Sequence, residues 1–169
     1  MVAGTAGGLR LKAPAGKETR PTTDKVRAAI FSSLESMGVI DDSQVIDLFA
    51  GSGALGIEAL SRGASAATFV DARREAIDAI EANLASTGLT GGTTVRSDVL
   101  RFVSAAGHYD VAFADPPYDF DGWADLLATP FAGLVVIETA RELDLGGGWE
   151  VLRERRYGGT VVTMARPAG

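Results

Sequence analysis

Asp115, Pro116, Pro117 and Tyr118 stand together in "ADPPYD", directly after the apolar run "YDVAFA". Two consecutive prolines remove two backbone donors and stiffen the turn, so the carbonyl oxygens there are left as acceptors. Asp115 adds a carboxylate acceptor and Tyr118 a flat ring, and no side-chain nucleophile is among them. This set suits the exocyclic amine of a nucleobase, whose two N–H groups can donate to Asp115 and the Pro116 carbonyl while the base stacks on Tyr118. Acceptors on both hydrogens favour a pyramidal nitrogen and stabilise the positive charge that develops when it attacks a methyl group. The plain alternative is a rigid turn.

A second constellation is "AGSGALG", residues 50–56, which fits G-x-G-x-x-G with Gly51, Gly53 and Gly56. The motif reports a tight strand-to-helix turn whose glycines let a ligand approach the backbone, and it does not choose between NAD and another adenosine cofactor. The bland reading is that these are turn glycines. Asp71 ends the next apolar run, where an acid either faces water or binds ribose hydroxyls. Asp98, in "RSDVLRF", is a helix cap, a ligand contact or both.

The elements that must position these residues alternate. "VIDLF", "AATFVDA", "TTVRS", "YDVAFA" and "GLVVIE" read as strands, with helical stretches after the glycine turn, over "ARREAIDAIEANLASTG" and over "DVLRFVSAAG". Such alternation means parallel βαβ units, in which ligands sit outside the carboxyl ends of the strands. The glycine turn and the double-proline loop therefore line one crevice. "WEVLRERRYGGTVVTMA" breaks the pattern with two strand-like runs around Tyr157-Gly158-Gly159, a hairpin expected to lie antiparallel at the sheet edge. Ahead of the first strand, "RPTTDKVRAAIFSSLESMG" predicts a helix that presents Val26, Ile30, Leu34 and Met37 on one face and leaves Lys25 and Arg27 off it. Trp123 and Trp149 read as packing residues, Phe120 and Trp123 alternatively as the rim of a base pocket, and His108 carries no role.

The chain has 169 residues, 46% of them hydrophobic, enough for a single domain with a core. It has no cysteine, which excludes disulfides, thiolate metal sites and a cysteine nucleophile. No apolar run approaches the roughly 18 residues of a membrane span, so no membrane association and a cytoplasmic location are expected. The net charge of −6 is unevenly spread: residues 1–30 carry six Lys or Arg against two acids, residues 31–140 five against 16. An acidic body suits a cationic small molecule, and a basic arm can meet nucleic acid or simply be solvated.

"AGTAGGLRLKAP", "RPTTDKVRAAIFSSL", "DLFAGSGALGIEALSRGA" and "ADPPY", in this order and spacing, resemble the bacterial RsmD family, which methylates the N2 of one guanine in 16S ribosomal RNA. The resemblance runs from about residue 3 to the C-terminal hairpin and implies a Rossmann-like class I methyltransferase: a mostly parallel seven-stranded α/β sheet with an antiparallel C-terminal hairpin strand and helices on both faces. It implies S-adenosylmethionine as cofactor, with Asp47, Ala50, Gly51, Ser52 and Gly53 in the first cofactor motif, Asp71 at the ribose and Asp98 at the adenine edge. Asp115, Pro116, Pro117 and Tyr118 match the catalytic loop; no metal is expected. Arg10, Arg20, Thr22, Thr23, Lys25 and Arg27 match RNA-facing positions, so residues 1–38 are expected to form a basic arm with a docking helix, and 39–169 the methyltransferase domain. The expected partner is 16S rRNA, within an assembled or partly assembled 30S subunit because so short an arm offers few phosphate contacts, and a monomer is expected. The start lacks an apolar pair found before "AGTA" in relatives, so a clipped or frayed first strand is expected. Other functions compatible with parts of the pattern are adenine-N6 methylation, NAD-dependent oxidation and non-catalytic RNA binding. The double proline and the antiparallel end speak against the oxidoreductase.

Overall fold

The computed structural model describes residues 1–15 and 23–169. A seven-stranded sheet has the order β3-β2-β1-β4-β5-β7-β6. Its strands are β1 (Gln44–Leu48), β2 (Ala66–Asp71), β3 (Gly92–Arg96), β4 (Tyr109–Ala114), β5 (Ala132–Thr139), β6 (Trp149–Tyr157) and β7 (Thr160–Pro167). The first five pair in parallel, whereas β7 pairs antiparallel with β5 and β6. Strand order reverses between β1 and β4, and in sheets of this kind the ligand crevice lies at that switch point, beyond the carboxyl ends of the strands.

One face of the sheet is covered by α1 (Asp24–Met37), α2 (Ala54–Ser61) and α3 (Arg74–Thr87), through a core that includes Phe31, Ile57, Phe69, Ile80 and Phe113. The other face packs on α4 (Val99–Ala105), the single turn α5 (Trp123–Leu126) and Trp149. The expected strands and the main helices all form; α5 is an addition that the sequence did not announce. The hairpin closes on the two-residue loop Gly158-Gly159 between Tyr157 and Thr160, with Gly158 at φ 59° supplying the left-handed conformation such a tight turn needs.

α1 begins at Thr23, whose side chain accepts from the Val26 N–H, and ends at left-handed Gly38. Val26, Ile30 and Leu34 are buried as expected, but Met37 is 41% exposed because the chain leaves the sheet there, at the last helical residue. Arg27 also departs from expectation. It is only 6% exposed, on the packed side, where it bonds Asp24 and lies 3.8 Å from Glu58.

Glu58, on α2, is fully buried and explains that departure. Its carboxylate accepts from the backbone N–H groups of Val2 (3.0 Å) and Ala3 (2.9 Å) and from Arg62 Nε (2.9 Å). A buried charge requires partners on every side, and here they come from the N-terminal arm, α1 and α2 itself. Residues 1–15 hold no strand; they run in turns against α2, where Ser61 Oγ accepts from Ala6 N and donates to Ala3 O, both at 2.8 Å. Gly4 touches α2 so closely that a Cβ there would lie 2.0 Å from the Ser61 carbonyl oxygen.

Replacing Glu58 by Gln removes the buried counter-charge that Arg27 and Arg62 share, and leaves them only the more exposed Asp24 and Glu35. The expected loss is about 3 kcal/mol of folding stability, a fall of roughly 6–12 °C in Tm for a chain of this size. Thermal unfolding of Glu58→Gln checks this; an unchanged Tm removes the carboxylate from its organising role.

Candidate functional site

β1 ends in the turn Phe49-Ala50-Gly51-Ser52-Gly53, which feeds directly into α2. Phe49 (φ 57°), Gly51 (φ 58°) and Gly53 (φ 78°) all take the left-handed conformation, so the chain reverses sharply over the end of the sheet. The glycines do different work. A Cβ on Gly51 would meet nothing closer than 3.9 Å, so this residue faces open space in the crevice. A Cβ on Gly53 would meet Ile80, Phe69 and Ile57 at 3.2–3.3 Å, and one on Gly56 would lie 2.4 Å from the Phe69 ring. Gly53 and Gly56 thus serve the packing of α2 on the sheet. In a dinucleotide site the second glycine is kept bare for the approaching pyrophosphate; here side chains fill that space.

Four carboxylates gather at the same end. Asp47 Oδ2 accepts from Gly56 N at 2.9 Å, and Asp71 accepts from Gly51 N at 3.0 Å and Arg73 N at 2.9 Å. Register extends the row: Leu48 pairs with Val70 and Ala114, and Ala114 with Ile137, so Asp71, Asp115 and Glu138 lie in one row a step beyond, with Phe49 between the first two. Asp47, Asp71 and Glu138 are buried, and Asp115 is half-buried. Burial pushes the Asp47 carboxyl up to about 8; the Gly56 N–H works against this, and repulsion from Asp115 and Asp71 adds to it. The repulsion at Asp47 shows how closely the acids crowd here, and a cationic occupant would relieve it.

The double-proline loop borders the turn. The Phe120 N–H donates to the Pro117 carbonyl at 3.0 Å, closing a tight turn that carries Tyr118 at its corner. Tyr118 is 70% exposed, the most exposed large apolar side chain of the described residues. The Phe120 ring packs edge-on against Phe49 (4.9 Å) and Trp123 (5.1 Å). Phe120 and Trp123 therefore pack between the glycine turn and the double-proline loop.

All the sequence-predicted crevice residues converge: Asp47, Ala50, Gly51, Ser52, Gly53 and Asp71 around the first turn, and Asp115, Pro116, Pro117 and Tyr118 beside it. Asp98 lies at the margin, exposed, capping α4 by accepting from Arg101 N at 2.9 Å, and its neighbour Ser97 donates its N–H to the Asp71 carbonyl. Thr23 and Lys25 stand exposed at the start of α1, and Arg10 on the arm. Arg20 and Thr22 fall outside the described residues. Arg27 does not join an open basic surface, because its guanidinium is turned inward to Asp24 and Glu58.

One site residue escaped the sequence reading. Asn83, buried on α3, accepts from Lys12 N (2.7 Å) and donates to Lys12 O and Ser52 O (both 2.9 Å). It ties the arm to the glycine turn. The signal was an amide three residues after Ile80, on the apolar side of a helix, where it must find buried partners.

The fold and its crevice have counterparts. A protein of Escherichia coli named provisionally as a methyltransferase superposes with a TM-score of 0.87 at 30% identity, over 100% of this chain and 97% of its own. In sequence, a Bacillus subtilis protein named provisionally as an rRNA methyltransferase is 38% identical over 184 residues, covering 100% of this chain and 99% of its own length. The ribosomal RNA small subunit methyltransferase D of Escherichia coli strain K12 is 39% identical over 119 residues, 70% of this chain and 59% of its own length. The sheet is that of the class I methyltransferases. The profile of the family described as conserved hypothetical protein 95 matches residues 1–166, and the chain belongs to this family, the RsmD family.

Proposed function

We propose that this protein transfers a methyl group from S-adenosylmethionine to the exocyclic N2 of a guanine in small-subunit ribosomal RNA. The observation that carries the reading is the juxtaposition of the Asp115–Tyr118 loop with the glycine turn, in a crevice ringed by carboxylates, in a chain whose relatives are named as rRNA methyltransferases. S-adenosylmethionine supplies an activated methyl group on a cationic sulfonium. The residues present fit it: open space at Gly51, a carboxylate at the end of β2, and a concentration of negative charge.

Each residue has a distinct task. Asp71 holds the ribose hydroxyls, Asp98 stands at the adenine edge, and Asp47, Ala50, Gly51, Ser52 and Gly53 shape the floor. The Asp115 carboxylate and the Pro116 carbonyl accept from the target amine and hold its lone pair toward the methyl group. Once the nitrogen is methylated it releases one proton, with Asp115 as the acceptor. Tyr118 stacks on the base, which explains an aromatic ring left so exposed. Thr23, Lys25 and Arg10, with Arg20 and Thr22, face the RNA. The substrate is 16S rRNA within an assembled or partly assembled 30S subunit, and the enzyme acts as a monomer in the cytoplasm. No helix of the described residues is long and apolar enough to cross a membrane.

S-adenosylmethionine at a hundred times its Kd should stabilise the fold by about 2.7 kcal/mol, raising Tm by roughly 5–10 °C, and Asp71→Asn should remove most of that shift. Stabilisation by NAD and not by S-adenosylmethionine, in the same thermal assay, sinks the reading.

Asp115 and Tyr118 separate in single-turnover methyl transfer to 30S subunits from cells lacking the modification. Asp115→Ala should slow transfer on the order of a hundredfold, while Tyr118→Ala should also weaken target binding by about 1–3 kcal/mol. Tyr118→Phe keeps the ring and should stay close to the wild type. Mapping the product must place the methyl group on guanine N2; a methyl group on adenine N6 would replace the acceptor and leave the site intact.

Asp47 makes cofactor binding pH-dependent. Its folded carboxyl titrates at about 8, above its ordinary value of 3.8, so folding favours the protonated form, and stability from this group declines as pH rises from about 4 to about 8. A bound sulfonium favours the ionised form. Cofactor affinity should therefore rise between about pH 6 and 8, with proton release measurable by calorimetry in buffers of different ionisation enthalpy. Asp47→Asn should flatten that profile; equal proton release by wild type and variant would assign it to another group.

A further inference from the structure

The C-terminal hairpin carries a feature that neither the crevice nor the core uses. β6 is the outer strand of the sheet, and Arg153, Arg155 and Arg156 are all exposed on it. None of the three pairs with a described carboxylate, although acids are plentiful in this chain. The two acids of the strand are engaged elsewhere: Glu150 with Arg166 at 2.8 Å, and Glu154 with the Thr163 hydroxyl at 3.0 Å. Arg153 and Arg155 on the α1 face of the strand and Arg156 on the other thus put three guanidinium groups without a described carboxylate around one edge of an otherwise acidic protein, a local surface for an anion.

Their place relative to the crevice follows from strand register. Glu138, beside Asp115 in the carboxylate row, pairs with Val162, and Val162 pairs with Arg155. Three strand spacings of about 4.8 Å separate the β4 and β6 positions, roughly 14 Å in all. The hairpin tip lies at the carboxyl end of the sheet, the end that holds the crevice, because Thr139 pairs with Val161 and Val161 with Arg156. A shallow groove runs from there between α1 and the hairpin. Ala29 and Ser33 form its helical wall, Arg153, Arg155 and Tyr157 its other wall, and Val162 part of its floor. Arg153 donates to the Ser33 hydroxyl across the groove, which holds its guanidinium in place.

We propose that the Arg153–Arg155–Arg156 edge and the groove beside it bind the phosphate backbone of the substrate RNA flanking the target base. This rests on the reading of the crevice as an RNA methyltransferase site. A base turned out of its stack into the crevice leaves its flanking backbone on the rim, and the rim on this side is the arginine edge. Arginine presents a planar fork that matches phosphate oxygens in two places at once, and it does so without base preference. Charges also protect an exposed strand edge from pairing with another chain. Edge protection accounts for charge on β6, but it is satisfied equally by acids, and it does not require that every exposed arginine be left without one.

The test uses the full-length Arg155→Ala/Arg156→Ala protein, with deproteinised 16S rRNA and 30S subunits, both lacking the modification, as probes. Each lost phosphate contact removes about 0.7–0.9 from the slope of log Kd against log salt, so the double variant should lose about 1.4–1.8. Its affinity should fall about tenfold at 0.1 M salt, while S-adenosylmethionine affinity and Tm stay at wild-type values. Arg155→Lys/Arg156→Lys should restore the slope. Unchanged affinity and slope in the alanine variant overturn the proposal, and self-association of that variant with RNA binding intact assigns the arginines to edge protection instead. A Tm loss shared by the lysine variant overturns it in favour of a folding role. Methyl transfer by the wild type to the same probes reads the parent function separately: transfer with an unaltered salt slope in the variant discards the surface and keeps the enzyme. An altered slope without any transfer keeps the surface and discards the enzyme.

Discussion

The site depends on how closely α2 lies against β2. Gly56 rests on the Phe69 ring at a distance no side chain would permit, and Gly53 fits between Ile57, Phe69 and Ile80. That approach forces the chain to leave β1 and enter α2 within five residues, three of them at positive φ. Such a turn exposes N–H groups that have no helical partner. Asp47 satisfies Gly56 and Asp71 satisfies Gly51, so the acids that line the crevice also hold its floor in shape. Packing comes first here; the charge arrangement is a consequence of where the packing leaves unsatisfied donors.

That origin accounts for the electrostatic character of the crevice. A carboxylate buried to complete a turn carries a desolvation cost, which is visible in the raised titration of Asp47. Asp115 and Asp71 add repulsion rather than relief. A cationic ligand changes the sign of that balance, because it supplies the counter-charge that the protein withholds. Binding and folding are therefore coupled through the same few oxygens, and the tie from Asn83 to both Ser52 and Lys12 extends the coupling to the arm.

Local patterns made much of this legible. The glycine spacing, the strand ends at Asp71 and Asp115 and the hairpin at Gly158-Gly159 each announce themselves within a few residues, and the architecture follows from their alternation. What stayed hidden is joined across long separations. Glu58 meets Val2 and Ala3 more than fifty residues away, and Asn83 meets Lys12 across 71. Arg27 shows the cost of helical periodicity taken alone: the one-face pattern of Val26, Ile30 and Leu34 says nothing of an acid buried on the neighbouring helix, which draws a cation onto the packed side. Within its own helix, Glu58 carries no local mark of the arginines and backbone donors that meet it.

Sequestration of Arg27 and Arg62 around Glu58 also bears on how an acidic protein meets a polyanion. Cations spent inside cannot contribute to an external field, so net charge and even the basic count of the N-terminal segment overstate what that segment offers outside. The charge that remains available is set by the pairing pattern. Arg166 is held by Glu150, Arg62 by Glu58 and Glu35, and Arg73 by Asp71. Arg153, Arg155 and Arg156 of β6 are gathered on one strand with no described acid beside them, while carboxylates cluster by the glycine turn a few strands away. Opposite fields of this kind, separated by roughly three strand spacings, orient a ligand that carries both signs. On the proposed reading a strand of RNA would be drawn to the rim and repelled from the centre, and only an uncharged base with donor groups at its edge would be suited to cross from one to the other.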